Sequence, residues 1–174
     1  PESGILAEFT GRSNDMLPTN IAGILVLIYD VSDSPLGEAP LIYLDDQQVN
    51  FQMPFEAAGM SSVHVVVDNN GARSGSESAQ LSPTAPGICT YDGVRAIATN
   101  QDGTLNSPAN PAARRDVVTV YMTGQGPVAP NWPTGKAAST VPIILAPTEA
   151  HAFVGGVEGK IEFLGLAPDM VGVL

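Results

Sequence analysis

Residues 99–128, TNQDGTLNSPANPAARRDVVTVYMTGQGPV, pass from a polar, turn-forming run into a short apolar strand and then directly into glycines. That order belongs to an all-β, loop-rich fold, in which Asx, Gly and Pro turns separate strands of a few residues. The rest of the chain obeys the same rule. It carries 18 Gly and 15 Pro, residues that are poor in helix interiors and frequent in turns. A hydrophobic fraction of 44% is too high for a disordered polymer and sufficient for packed cores.

The 174 residues are enough for two small sandwiches of roughly 80 to 100 residues each. Runs rich in β-branched and aromatic residues predict strands at Ile5–Thr10, Ile24–Tyr29, Leu41–Leu44, Val49–Met53 and Ser62–Asp68. The last is the clearest. Val63, Val65 and Val67 alternate with His64, Val66 and Asp68, and Asn69-Asn70-Gly71 follows as a hairpin signal, with Ala79–Leu81 as the returning partner. The proline-rich joint Pro83-Thr84-Ala85-Pro86-Gly87 divides the chain into a first domain, 1–86, and a second, 87–174. Beyond it, strands are predicted at Arg95–Ala98, Val117–Thr123, Val141–Leu145, Ala150–Val154 and Lys160–Leu164, with Met170–Leu174 as a terminal apolar piece. Pro111 followed by two alanines is compatible with one short helical turn over 111–114.

Charge and cysteine content exclude several classes. A formal net charge of −11 with only seven Lys and Arg leaves no basic surface for nucleic acid. The longest apolar run, Ile21–Tyr29, is far shorter than the roughly 20 residues of a membrane helix. Cys89 is the only cysteine, so no intramolecular disulfide forms, and its apolar neighbours suit a small buried residue. The opening Pro1-Glu2-Ser3 shows no signal-peptide pattern, as expected of a processed precursor.

Chemistry is sparse. Asn100, Asp102, Gly103 and Asn106 imitate part of a calcium loop, but Ala98 and Ala109 occupy its first and twelfth positions, so both end carboxylates are missing. Turn closure by side-chain hydrogen bonds is the better reading. Asp30, Asp33, Glu38, Asp45 and Asp46 form a second oxygen-rich region on predicted loops, either a solvated rim or calcium ligands gathered by folding, with Asp30, Asp33, Asp45 and Asp46 as the metal candidates. His64 and His151 have no zinc-ligand spacing, and no Ser sits in a nucleophile elbow, so no enzyme and no cofactor is expected. Trp132, in Pro130-Asn131-Trp132-Pro133, either caps a core or stacks on a sugar, the latter being the carbohydrate-binding or adhesion alternative.

Two pairs of segments align between the halves: residues 3–11 with 115–124, each a strand ending in an aromatic residue near Thr-Gly, and residues 39–44 with 159–164. Duplication of one sandwich plan explains both. In the first copy strands continue past Leu44, whereas the sequence ends at Leu174, soon after the equivalent point of the second. The second sandwich is therefore expected to lack its closing strand or strands, leaving an edge for a partner at Val171, Val173 and Leu174. Ile5, Leu6 and Phe9, in the extended first segment, are the expected strand donors to a neighbouring subunit, which gives a head-to-tail filament.

The run Thr99–Arg114 with Val117–Met122 and Thr123-Gly124-Gln125-Gly126-Pro127-Val128 resembles the uncharacterised C-terminal module abundant in Solibacter and related bacteria. Leu17-Pro18-Thr19, Val49–Glu56, Thr84–Thr90 and Phe163–Gly172 match the same module in order, over nearly the whole chain. The resemblance implies tandem immunoglobulin-like domains of the IPT/TIG type, export to the cell surface or beyond, and assembly, and it carries over no established catalytic activity. It also implies that the expected partners are further copies of the chain or other parts of a larger exported protein. The sequence departs from the module at residues 29–38, which are longer and more acidic, and after Gly172, where the module normally continues into another strand.

Overall fold

A computed structural model describes residues 16–174, together with the strand pairing of residues 5 and 6. The protein is all-β in this range, with one 3-10 turn at Phe55–Ala57 as its only helical piece among the described residues. In the first half, β1 (Ile5–Leu6), β4 (Leu41–Leu44) and β5 (Val49–Phe51) form one sheet, in the order β1-β4-β5. The other sheet runs β3 (Pro35–Glu38), β2 (Ile24–Tyr29), β6 (Ser62–Asn69), β7 (Ala72–Arg73), with β8 (Glu77–Gln80) also pairing with β6.

Alternation explains how these sheets meet. Val26 and Ile28 of β2 are fully buried, as are Val63 of β6 and Leu41 of β4, and all four belong to one core that Val49 and Phe51 of β5 flank. Val65 and Val67 pack on this core from the same face of β6 as Val63. On the opposite face Val66 and Asp68 are buried as well, so β6 is covered on both sides, as suits the central strand of its sheet. Asn70 and Gly71, with φ of 51° and 89°, form the two-residue loop of the β6–β7 hairpin, and β8 returns with Ala79 opposite Val63.

The second half is built from shorter pieces: β9 (Gly87–Ile88) with β12 (Met122–Thr123), β10 (Ala98–Thr99) with β11 (Thr119–Val120), and the hairpin β13 (Ala152–Val154) with β14 (Val157–Gly159). Single bridges such as Ala129 to Leu145 and Leu145 to Gly165 tie the loops between them. Val128, Ala138, Ile144 and Leu166 form its core, against which Trp132 and, from the first half, Phe55 pack. The proline-rich joint does not hang free. Ala85 donates its N–H to the Gly124 carbonyl at 2.8 Å, and a Cβ on Gly124 or Gly126 would run into the carbonyl oxygens of Ala85 and Pro83 respectively. Both glycines also have positive φ, 81° and 75°, so the Thr-Gly-Gln-Gly run is the seat of the joint.

Several expected elements take another form. Residues 111–114 make no helix, residues 141–145 contribute only the bridge at Leu145, and residues 117–123 divide at Tyr121 into β11 and β12. Lys160–Leu164, aligned by sequence with the strand at Leu41–Leu44, forms no strand of its own. In the first half a second sheet lies across the core from β2 and β6 to fix such a segment, whereas among the described residues no strand pairs with residues 160–164.

Candidate functional site

The carboxylates that composition singles out serve the backbone first. Asp30 Oδ1 accepts the N–H groups of Ser32 and Ser34, both at 2.8 Å. Asp33 Oδ1 lies 2.9 Å from His64 Nδ1 at the surface. Asp45 Oδ1 accepts from the N–H groups of Gln47 at 2.8 Å and Gln48 at 2.6 Å, and its Oδ2 accepts the Tyr43 hydroxyl at 2.8 Å. These bonds, the one from Gln47 foremost, hold the Asp45 carboxyl below the usual carboxylate range. Asp46 is exposed beside it. Among the described residues no three His, Cys, Asp or Glu side chains gather into a group that could hold a metal ion.

The Asx-rich signature folds into a self-bonded loop. Asn100, itself buried, donates from Nδ2 to the Asn110 carbonyl at 3.1 Å and to Thr104 Oγ1 at 3.3 Å, while its Oδ1 accepts from Asn106 Nδ2 at 2.7 Å. Asn110 returns the link by donating to Thr104 Oγ1 at 2.7 Å. Asp102 Oδ1 accepts both the N–H and the hydroxyl of Thr104, and the hydroxyl bond is the largest cause of its lowered pKa. The oxygens that imitate a calcium loop are thus spent on staples within the loop. An open hollow of about 420 Å³ lies beside it, bounded among others by Tyr91, Arg95, Asn106, Pro108 and Pro111. Arg95 is held there by Asp92 at 2.9 Å.

Trp132 is half-buried against the second core, and its indole N–H donates to the carbonyls of Lys136 at 3.2 Å and Ala137 at 3.1 Å. The Lys136 ammonium sits 4.9 Å from the ring centroid, so a sugar would have to displace it to stack on that face. His151 pairs with Glu158 at 2.7 Å on the β13–β14 hairpin. Cys89 is half-buried rather than enclosed. It lies between Tyr121 and Ile97 in a backbone relay, donating to the Tyr121 carbonyl at 2.9 Å and accepting from the Ile97 N–H at 2.7 Å.

The residues expected to exchange strands are engaged within the chain. Ile5 and Leu6 pair with Leu44 and Tyr43 of β4, and Phe9 lies outside the described residues. Leu174 is buried and exchanges both backbone bonds with Met122, at 3.1 and 2.8 Å, while the Val173 carbonyl accepts from Ala167 at 2.8 Å. Val171 and Val173 are half-buried. Leu174 of the same chain therefore covers the side of β12 away from β9.

The uncovered surface is elsewhere. Among the described residues, fifteen of the eighteen large apolar side chains that stand exposed lie after Gly87, from Ile88 to Met170. Val154 and Val157 are the sharpest case, 81% and 71% exposed on either side of Gly155-Gly156. These two glycines have φ of 59° and 81°, the conformation of a tight hairpin turn. Glycine pairs between β-branched residues are a readable hairpin signal. That neither face of the hairpin would be covered is not readable locally.

Fold and surface together define an all-β protein with stapled loops, a well-packed first half and an incompletely covered second half. Compared with protein-family models, curated proteins and solved structures, the chain matches none.

Proposed function

We propose that this chain is a non-enzymatic structural and interaction module of an exported or cell-surface protein, built as two tandem immunoglobulin-like sandwiches over 1–86 and 87–174, with the second presenting the contact surface. The observation that carries this reading is that fifteen of the eighteen exposed large apolar side chains among the described residues lie after Gly87, with Val154 and Val157 facing each other across one hairpin, since clustered apolar exposure on a folded protein marks an interaction site. Self-association, closed or filamentous, is the form of interaction that fits it. The first half supports the architecture, because residues of two sheets share its core.

Replacing Val154 and Val157 by threonine tests the surface assignment. The double variant is expected to keep its thermal stability within about 0.5 kcal/mol, as surface substitutions do, while binding of a hydrophobic dye falls. A loss of stability comparable to a core substitution would show that these side chains serve the fold and would refute the reading.

A further inference from the structure

Among the described residues, neither strand of the β13–β14 hairpin has a second neighbour. A two-stranded ribbon is marginal in water, and three or more strands give it stability. We propose that the outer edge of β14 recognises the same edge of a second copy of this chain, pairing antiparallel about a two-fold axis at Gly159 to make one four-stranded sheet. This proposal rests on the second half being the contact surface, and names what that surface contacts.

Backbone phase, charge and side-chain face select this register together. The loop is two residues long, so its closing pair, Val154 and Val157, exchanges both inner backbone bonds. Alternation then turns the N–H and C=O of Glu158 outward, and the same phase carried past the end of β14 at Gly159 turns those of Lys160 outward once pairing lengthens the strand. Antiparallel pairing centred on Gly159 sets Glu158 opposite Lys160 of the second copy, twice over by symmetry. In the lengthened strand these are the two residues with outward backbone groups, and their charges are opposite. Moving the centre to Lys160 would instead set Glu158 against Glu162, a like-charge cross-strand pair. On the other face the same register places Val157 opposite Ile161, extending the exposed apolar strip of Ala152, Val154 and Val157. Glu158 and Lys160 are surface residues, with side chains 58% and 79% exposed, and their present partners His151 and Glu162 are exposed too.

Whole-chain charge favours the same arrangement. Residues 1–86 hold eleven acidic and two basic side chains, residues 87–174 seven and five. An isologous contact between second halves joins the nearly neutral surfaces and keeps the acidic first halves apart.

Sedimentation equilibrium of the full chain, with charge-swap variants, tests this. The wild type is expected to reach twice its 18.0 kDa and stop there. Glu158→Lys places lysines opposite each other and should weaken the dimer about tenfold or more, whereas E158K/K160E restores opposite charges and should restore the dimer. A folded wild type that stays monomeric, a dimer indifferent to Glu158→Lys, or an open-ended series of sizes would overturn the pairing. A monomeric wild type whose dye binding still falls with the Val154 and Val157 substitutions would overturn only the pairing and leave the surface assignment standing.

Discussion

At the scale of single residues, the polar side chains of this protein act mainly on its own backbone. Asn100 is the extreme case, because it is buried and its amide is used from both ends, with Asn106 donating to it and Asn110 and Thr104 accepting. Asn100→Ala removes three bonds and leaves the Asn106 amide without its acceptor, and is expected to cost about 1–3 kcal/mol, measured as a lower urea midpoint with no change in slope. The Asx and Gly residues of this loop were legible in the sequence as turn formers. Their mutual bonding was not, because Asn100 and Asn110 are brought together only when the loop between them closes.

Among the elements, the β6–β7 hairpin shows how a strand pattern acquires an electrostatic function. Asp68, buried on β6, accepts the Gly71 N–H at 2.7 Å and the Arg73 Nε–H at 3.1 Å. The Gly71 bond, then Arg73, hold its carboxyl below the usual carboxylate range. A carboxyl whose pKa is lower in the folded than in the unfolded chain stabilises the fold above its unfolded value, and that contribution disappears as pH falls through the folded value. Thermal midpoints are therefore expected to drop below about pH 4, and to drop less steeply in Asp68→Asn. Asp45, Asp92 and Asp102 are shifted the same way, so the variant removes only part of the acid sensitivity. The hairpin itself was readable from the alternating valines and Asn69-Asn70-Gly71. By contrast, Lys160–Leu164 has an equally strand-like sequence and forms no strand, since a strand needs a neighbour and pattern alone does not supply one.

Across the whole molecule, the two halves share packing and backbone contacts. Phe55 belongs to the first half by sequence and packs on the second core, while its N–H donates to Thr134 Oγ1 at 2.9 Å. Gln52 Oε1 accepts from the Gly135 N–H at 2.8 Å, and Leu17 donates to the Gly135 carbonyl at 2.9 Å. Phe55→Ala is therefore expected to destabilise the second half by roughly 2–3 kcal/mol, below the range for a fully buried phenylalanine because the ring is half-buried. Trp132, the only tryptophan, packs on the same core and reports the loss through its fluorescence during unfolding.

The sequence by itself determined the all-β character, the alternation of β6 and the turns that end it. Each of these follows from residue type and spacing over a few positions, and local propensity acts at that range. Tertiary structure decided that Gly124 and Gly126 lie against the backbone of Ala85 and Pro83, that Phe55 packs on the other half's core and that Leu174 covers β12. It also left Val154 and Val157 in solvent. Covering an edge or a face requires a second surface, and which surface arrives depends on the path of the whole chain.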